Sequence, residues 1–245
     1  VYRGYDIADL AAETSYEEVL YLLWNGELPT RDELAAFADS MAAERAVEDH
    51  VLDTLDALAQ QNERPMAALR TGVSMLSAEE PEADAEPEDR EVARRMGRRI
   101  VAKFPTVLAA YDRLRRDEEP LEPREDLGHA ANFLYMLTGE EPTAVAEETF
   151  DMALILHADH GLNASTFTSV VIASTLADLY SAVTGGIGAL SGPLHGGANQ
   201  DVMETLQEID ESDKEVLEWV REARDAGERI PGWGHRVYKT KDPRA

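Results

Sequence analysis

Three histidines of this chain stand where helices are expected to begin or end: His160 in "HADHGLNAST", His195 in "GPLHGGANQ" and His235 in "PGWGHRVYKTKDPRA". An imidazole can move a proton, hydrogen-bond a carbonyl oxygen or ligate a metal, and a helix edge leaves it open to a small molecule. After Gly192-Pro193-Leu194-His195-Gly196-Gly197, the residues Ala198, Val202, Leu206 and Ile209 fall on one face of a helix. His195 is therefore placed at a helix N-terminus, whose positive end disfavours imidazolium. A histidine kept neutral can donate a hydrogen bond to a carbonyl as negative charge develops there, and the flanking glycines let a substrate approach the backbone. The same placement also suits a histidine that merely caps the helix.

His157 and His160 are three residues apart, so they share a face if the helix runs through both, and with Asp159 they could form a metal site. The other reading is a satisfied polar cluster at a helix end, and no third ligand stands at a recognisable spacing.

Charge singles out the last stretch. The chain has 49 acidic against 23 basic residues and a formal net charge of −26, which argues against nucleic acid as a partner. Only Lys103, Lys214, Lys239 and Lys241 are lysines, and runs such as "AEEPEADAEPEDREVARR" crowd the surface with acid, a pattern expected of a halophilic protein. Against that background Arg229, Arg236, Lys239, Lys241 and Arg244 lie close together, opposed there only by Asp242. A local reversal of sign argues for a ligand bearing carboxylates or phosphates more than for a solvated basic face. The glycines of "IPGWGH" open a backbone against which a planar group can lie. A neutral-histidine electrophile beside an anion site suggests carbon-acid chemistry: a thioester or ketone carbonyl is polarised, an enol forms, and it condenses with a second carbonyl held by its carboxylates. With no cysteine, thiolate chemistry and disulfides are excluded.

The elements that must position these residues read as helices. Ser15 with Glu18 and Thr30 with Glu33 form capping-box patterns, and Asn25-Gly26 is a stop signal. Residues 51–59, 65–76, 90–104, 107–116 and 126–137 carry apolar side chains three and four apart, and nothing alternates with period two over a useful length. An all-α fold is predicted. The acidic stretch 78–87 and the run 117–123 are expected to be exposed loops. From Phe150 charges become few; one helix should end near His160 and a second should span 165–184, closed by Gly185-Gly186, both apolar enough to be buried. No basic segment precedes an apolar one, and the low-charge run 162–190 contains Asp178, so a soluble cytoplasmic protein without membrane contact is expected.

Taken together, "GPLHGGAN", "GWGHRVYKTKDPR", "HADHGLNAST" and the opening "VYRGYDIADLA" resemble segments of the citrate synthase family over essentially the whole chain, and the acidic surface resembles that of haloarchaeal members. The resemblance implies an all-helical homodimer with a large domain over residues 1–195 and the start of a smaller, closing domain over 196–245. It implies condensation of acetyl-CoA with oxaloacetate to citrate and free coenzyme A through an enol, with coenzyme A entering as part of a substrate and no separate cofactor or metal. By the same resemblance His195 polarises the thioester carbonyl, His235 hydrogen-bonds the ketone, and His160 and Arg244 hold oxaloacetate. Ile230, Pro231, Gly232, Trp233 and Gly234 would face the adenine, and Lys239 would approach the phosphates. The family's catalytic aspartate and two further substrate-binding arginines lie C-terminal to "DPR", so the expectation is a chain incomplete at both ends and lacking its general base. A 2-methylcitrate synthase, using propionyl-CoA, would carry the same histidines, and a histidine-aspartate metallohydrolase is a remote alternative.

The charge excess yields a direct expectation. Mutual repulsion of the acids weakens as the screening length shrinks to about 3 Å at 1 M salt, so the melting temperature should rise from low salt to about 2 M KCl. A melting temperature that falls with added KCl would contradict the halophilic reading.

Overall fold

Local capping starts the first helices where the sequence places them. A computed structural model describes residues 1–83, 85–86 and 88–232, leaving aside the side chains of Ala198 and Asn199. Helix α1 (Ile7–Glu13) begins on Asp6, whose carboxylate accepts the Ala8 N–H at 2.8 Å. In α2 (Tyr16–Asn25), Ser15 and Glu18 satisfy each other's backbone N–H groups, at 2.8 and 3.3 Å, and Gly26 closes the helix in the left-handed region at φ 97°. Thr30 and Glu33 open α3 (Arg31–Ala42) in the same way. There follow α4 (Asp49–Gln60), α5 (Pro65–Met75) with proline at its first position, a 3₁₀ turn (Leu76–Glu79), α6 (Arg90–Leu114), α7 (His129–Thr138), α8 (Ala144–His157), α9 (Ala164–Ala173), α10 (Leu179–Leu190), α11 (Gly197–Glu211) and α12 (Val216–Asp225). Among the described residues there is no strand, only an isolated bridge between Tyr2 and Tyr5, so the all-α expectation is met. The chain divides into two compact units, Val1–Gly188 and Ala189–Ala245.

In the first unit α6 is the central rod. It packs against α3, α4, α5 and α7, and its Ile100, Val107 and Tyr111 share a core with Val51 and Leu55 of α4 and Leu69 and Val73 of α5. The expected break between residues 104 and 107 does not occur: α6 runs through Pro105 as one helix of 25 residues. An interior proline costs about 3 kcal/mol. Burying each large apolar side chain gains about 1.5–3 kcal/mol, and α6 buries several on both sides of the proline, so packing wins.

The segment expected to form a single helix over 165–184 is two. Leu176 adopts φ 63°, and the Asp178 carboxylate accepts the Ser181 N–H and O–H at 2.8 and 2.6 Å, which ends α9 and starts α10. Gly185 and Gly186 lie inside α10 and do not close a helix. A Cβ on Gly185 would come within 2.2 Å of Ile172 Cδ1 and one on Gly186 within 2.7 Å of Ser169 Oγ, so the pair permits α10 to lie close to α9. Nor is α9 buried: Phe167, Val170 and Val171 are each about half exposed, and no residue of α9 is buried.

The acidic stretch before α6 is likewise only partly on the surface. Glu80 is buried, its carboxylate accepting the Tyr180 hydroxyl at 2.5 Å and pairing with Arg99. Glu82 bonds Arg95 and Arg99, at 3.0 and 2.7 Å, and those hydrogen bonds hold its carboxyl down at about 2. A buried carboxylate without partners would cost several kcal/mol, and here the partners offset that cost.

Two glycines test this packing. A Cβ on Gly72 would sit 2.6 Å from Val107 Cγ1, a branched side chain locked in the core, whereas one on Gly97 would meet ordinary contacts at 3.6 and 3.9 Å. Alanine gains up to about 1 kcal/mol of helix propensity at either position. Gly97→Ala should therefore be neutral or stabilising in urea unfolding, while Gly72→Ala should lose about 1–3 kcal/mol to overpacking. Equal stabilisation by both would contradict the α5–α6 contact.

Candidate active site

The His160 turn belongs to the first unit. Helix α8 stops at His157, whose Nδ1 lies 2.7 Å from the Ala153 carbonyl oxygen, so this ring folds back on its own helix. The chain then passes through Asp159, half-buried His160 and Gly161, the last at φ 60°. Asp159 Oδ1 accepts the Gly161 N–H at 2.7 Å, and Asn163 Oδ1 accepts the Thr166 N–H at 2.9 Å to open α9. The shared helix face on which a His157–Asp159–His160 metal site depended is absent because the helix ends first. Among the described residues no three His, Asp or Glu side chains are grouped to hold a metal ion.

The His195 turn belongs to the second unit. The Gly192 carbonyl accepts N–H groups from His195 at 3.0 Å and Gly196 at 3.2 Å, a tight turn that delivers the chain into α11. Glycine is required at position 196: a Cβ there would lie 2.1 Å from the Leu190 carbonyl oxygen, which is backbone and cannot step aside. His195 thus sits half-buried immediately before the positive end of a 15-residue helix, in the placement predicted for it.

After α12 the chain returns to α11. Gly232 adopts φ 79°, and its Cβ position would be 2.9 Å from Val202 Cγ2, so the turn of Ile230, Pro231 and Gly232 lies against α11. Val202 is about 7.5 Å along the helix from its first residue, by the rise of 1.5 Å per residue. One helix therefore carries His195 at its start and supports three of the predicted adenine-facing residues on its flank. Trp233, Gly234, His235, Lys239 and Arg244 lie outside the described residues.

A second polar group in the first unit was not anticipated. An apolar cavity of about 760 Å³ is bordered by Tyr16, Trp24, Phe104, His129, Phe133 and Phe150. His129 is buried, its ring 5.2 Å from that of Tyr16, and Glu17 accepts its backbone N–H at 2.8 Å where α7 begins. Asp151 accepts the Tyr16 N–H at 3.0 Å. Burial, with the charge of Arg45, pushes the His129 imidazole down to about 4; burial, with Glu17 nearby, pushes the Asp151 carboxyl up to about 6. The signal available in sequence was a lone histidine opening the apolar run "HAANFLYML".

The same architecture recurs in known proteins. The family described as Citrate synthase, C-terminal domain, matches residues 1–245. A citrate synthase from Haloferax volcanii is 63% identical over 246 residues, covering 100% of this chain and 65% of the relative. The crystal structure of citrate synthase from Pyrobaculum aerophilum superposes with a TM-score of 0.89 at 42% identity, covering 100% of this chain and 62% of that one. A ternary complex of carboxymethyl coenzyme A and oxaloacetate with citrate synthase from Thermoplasma acidophilum gives 0.85 at 29% identity, covering 98% and 62%. The chain belongs to the citrate synthase family, and it spans about 65% of the length of the Haloferax relative.

The buried cluster makes a pH prediction. Asp151 binds its proton more tightly folded, at about 6 against 3.8, so its ionisation lowers stability as pH rises through that window. His129 does the opposite: at about 4 folded against 6.5, it loses stability as pH falls between those values. The two trends oppose each other in the parent. Asp151→Asn keeps an acceptor for the Tyr16 N–H and removes one trend. The variant should melt higher than the parent near pH 7 and lose stability more steeply on acidification to about pH 4.5. Parallel pH curves for parent and variant would contradict the assignment.

Proposed function

We propose that the protein condenses acetyl-CoA with oxaloacetate to give citrate and free coenzyme A, forming a bond between the acetyl methyl carbon and the ketone carbon, with water releasing the thiol. The observation that carries this reading is His195, held by a glycine-only turn at the start of α11 in a chain that belongs to the citrate synthase family. In this reading His195 donates a hydrogen bond to the thioester carbonyl as the enol forms, and its place just before a helix N-terminus, where developing negative charge is favoured, suits that role. His235 hydrogen-bonds the ketone, His160 and Arg244 hold the carboxylates of oxaloacetate, Ile230 to Gly234 lie along the adenine, and Lys239 meets phosphate. The Thermoplasma acidophilum complex supports the substrate pair. The general base is assigned to no aspartate of this sequence, and the reaction is proposed to need no metal.

The large domain is taken to extend through His195 and the smaller one to begin at Gly196. A homodimer is proposed, supported by the half-exposed Phe167, Val170 and Val171 of α9, apolar surface that a second copy would cover. Among the described residues no helix is long and apolar enough to cross a membrane, and a cytoplasmic, halophilic setting is proposed from composition.

The test is release of free thiol by a full-length version of the protein, extended to the length of its relatives, measured with acetyl-CoA and with propionyl-CoA in the presence of oxaloacetate. Acetyl-CoA should be the better substrate, and His195→Ala should lower turnover by about a hundredfold or more, the scale of a lost proton donor or oxyanion partner. Unchanged turnover would remove His195 from the chemistry, and faster turnover with propionyl-CoA would make the protein a 2-methylcitrate synthase.

A further inference from the structure

The opening "VYRGYD" has no part in the chemistry described above, yet the structure ties it to the His160 turn. Tyr2, Arg3, Gly4 and Tyr5 form a tight turn, with Tyr2 N–H donating to the Tyr5 carbonyl at 3.0 Å and Tyr5 N–H to the Tyr2 carbonyl at 2.9 Å. Arg3 and Gly4 both adopt positive φ, 51° and 101°, the signature of a type I′ turn. Arg3 donates from Nε and Nη2 to the Leu23 carbonyl, at 3.2 and 2.8 Å, which anchors the turn on the last residues of α2. The Tyr2 ring is buried with Leu10, Val19, Leu22 and Ile155.

The hydroxyl of Tyr2 is placed with particular consequence. It donates to the Ile155 carbonyl at 3.0 Å and accepts the Asp159 N–H at 3.3 Å. Ile155 and Asp159 are four residues apart, so their C=O and N–H are the pair that would make the next hydrogen bond of α8 if the helix continued. Tyr2 stands between them, taking the Asp159 N–H and sharing the Ile155 carbonyl with the Ala158 N–H, 3.2 Å away, where the helix ends at His157. The nearby Leu156 carbonyl, 3.4 Å from the same oxygen, is the next acceptor along. A residue distant in sequence thus interrupts α8 one turn before it would carry His160 onto the helix.

We infer that Tyr2 is a positioning residue for His160: by intercepting the Asp159 N–H to Ile155 C=O bond it sets where α8 stops and hence the direction in which His160 points. This rests on the reading of His160 as an oxaloacetate ligand. Phenylalanine at position 2 keeps the buried ring and removes only the intercepting group. Asp159 N–H is then free to bond Ile155 directly, α8 extends, and His160 turns with it.

Tyr2→Phe, His160→Ala and the double variant of the whole protein separate the possibilities. The expected result is a crystal structure of Tyr2→Phe in which α8 runs on to Asp159 or beyond. Oxaloacetate KM should rise about tenfold, the scale of one lost, well-placed hydrogen bond, while acetyl-CoA KM stays unchanged. Adding Tyr2→Phe to His160→Ala should weaken oxaloacetate binding no further, since the two act through one group. An unaltered path of residues 155–161 in Tyr2→Phe would overturn the proposal whatever the kinetics, as would additive effects in the double variant. If α8 extends while His160→Ala binds oxaloacetate normally, the reading of His160 fails and takes the positioning role with it, leaving Tyr2 as a helix stop alone.

Discussion

An acidic chain needs its few cations in the right place, and here they are concentrated along one helix. Arg94, Arg95, Arg98, Arg99 and Lys103 of α6 pair with Glu91, Glu82, Glu44, Glu80 and Glu48. These pairs are unequal. Arg94 with Glu91 is exposed on both sides and contributes little. Arg99 with Glu80 is nearly dry, and loss of Arg99 would leave the buried Glu80 carboxylate without its cation, a cost of about 3–5 kcal/mol, whereas Arg99 without Glu80 would still hold Glu82. Through Glu80 the same network reaches the Tyr180 hydroxyl at the start of α10. Burial, reinforced by Glu80, drives the Tyr180 phenol upward, so it remains a donor at any ordinary pH. One cationic rod therefore fastens the acidic loop before it, the segment between α3 and α4, and α10.

The candidate chemistry sits on turns held by short-range hydrogen bonds. At 158–163, Asp159 and Asn163 use their side chains to satisfy the N–H groups of Gly161 and Thr166, and the Tyr2 hydroxyl accepts the N–H of Asp159. At 192–196 one carbonyl, that of Gly192, receives two N–H groups, and glycine at 196 admits the close approach of Leu190. Such turns fix a histidine without burying it, which is what a residue that must meet a substrate requires.

Much of this was legible in sequence because it is local. Capping at Ser15 and Thr30 involves partners three residues away, and the expected helices begin there. The placement of His195 before a helix followed from the glycines and the apolar spacing of α11. What escaped depended on tertiary structure. Pro105 reads as a breaker until the core packed around a continuous α6 is seen, and Gly185-Gly186 reads as a stop until α9 is found against it. Glu80 looks like one more surface acid, and Tyr2 gives no sign that its hydroxyl bonds a helix carbonyl 153 residues away. The helix-face pairing of His157 with His160 failed for the same reason.

In the proposed reaction the two histidines divide the substrates between them. His160, in the first unit, binds the dicarboxylate, and His195, in the second, acts on the thioester. Titration calorimetry with oxaloacetate alone, in the absence of any thioester, tests that division directly. His160→Ala should weaken oxaloacetate binding markedly, while His195→Ala should leave the affinity as it is in the parent. Normal binding by the His160 variant, or lost binding by the His195 variant, would contradict the division.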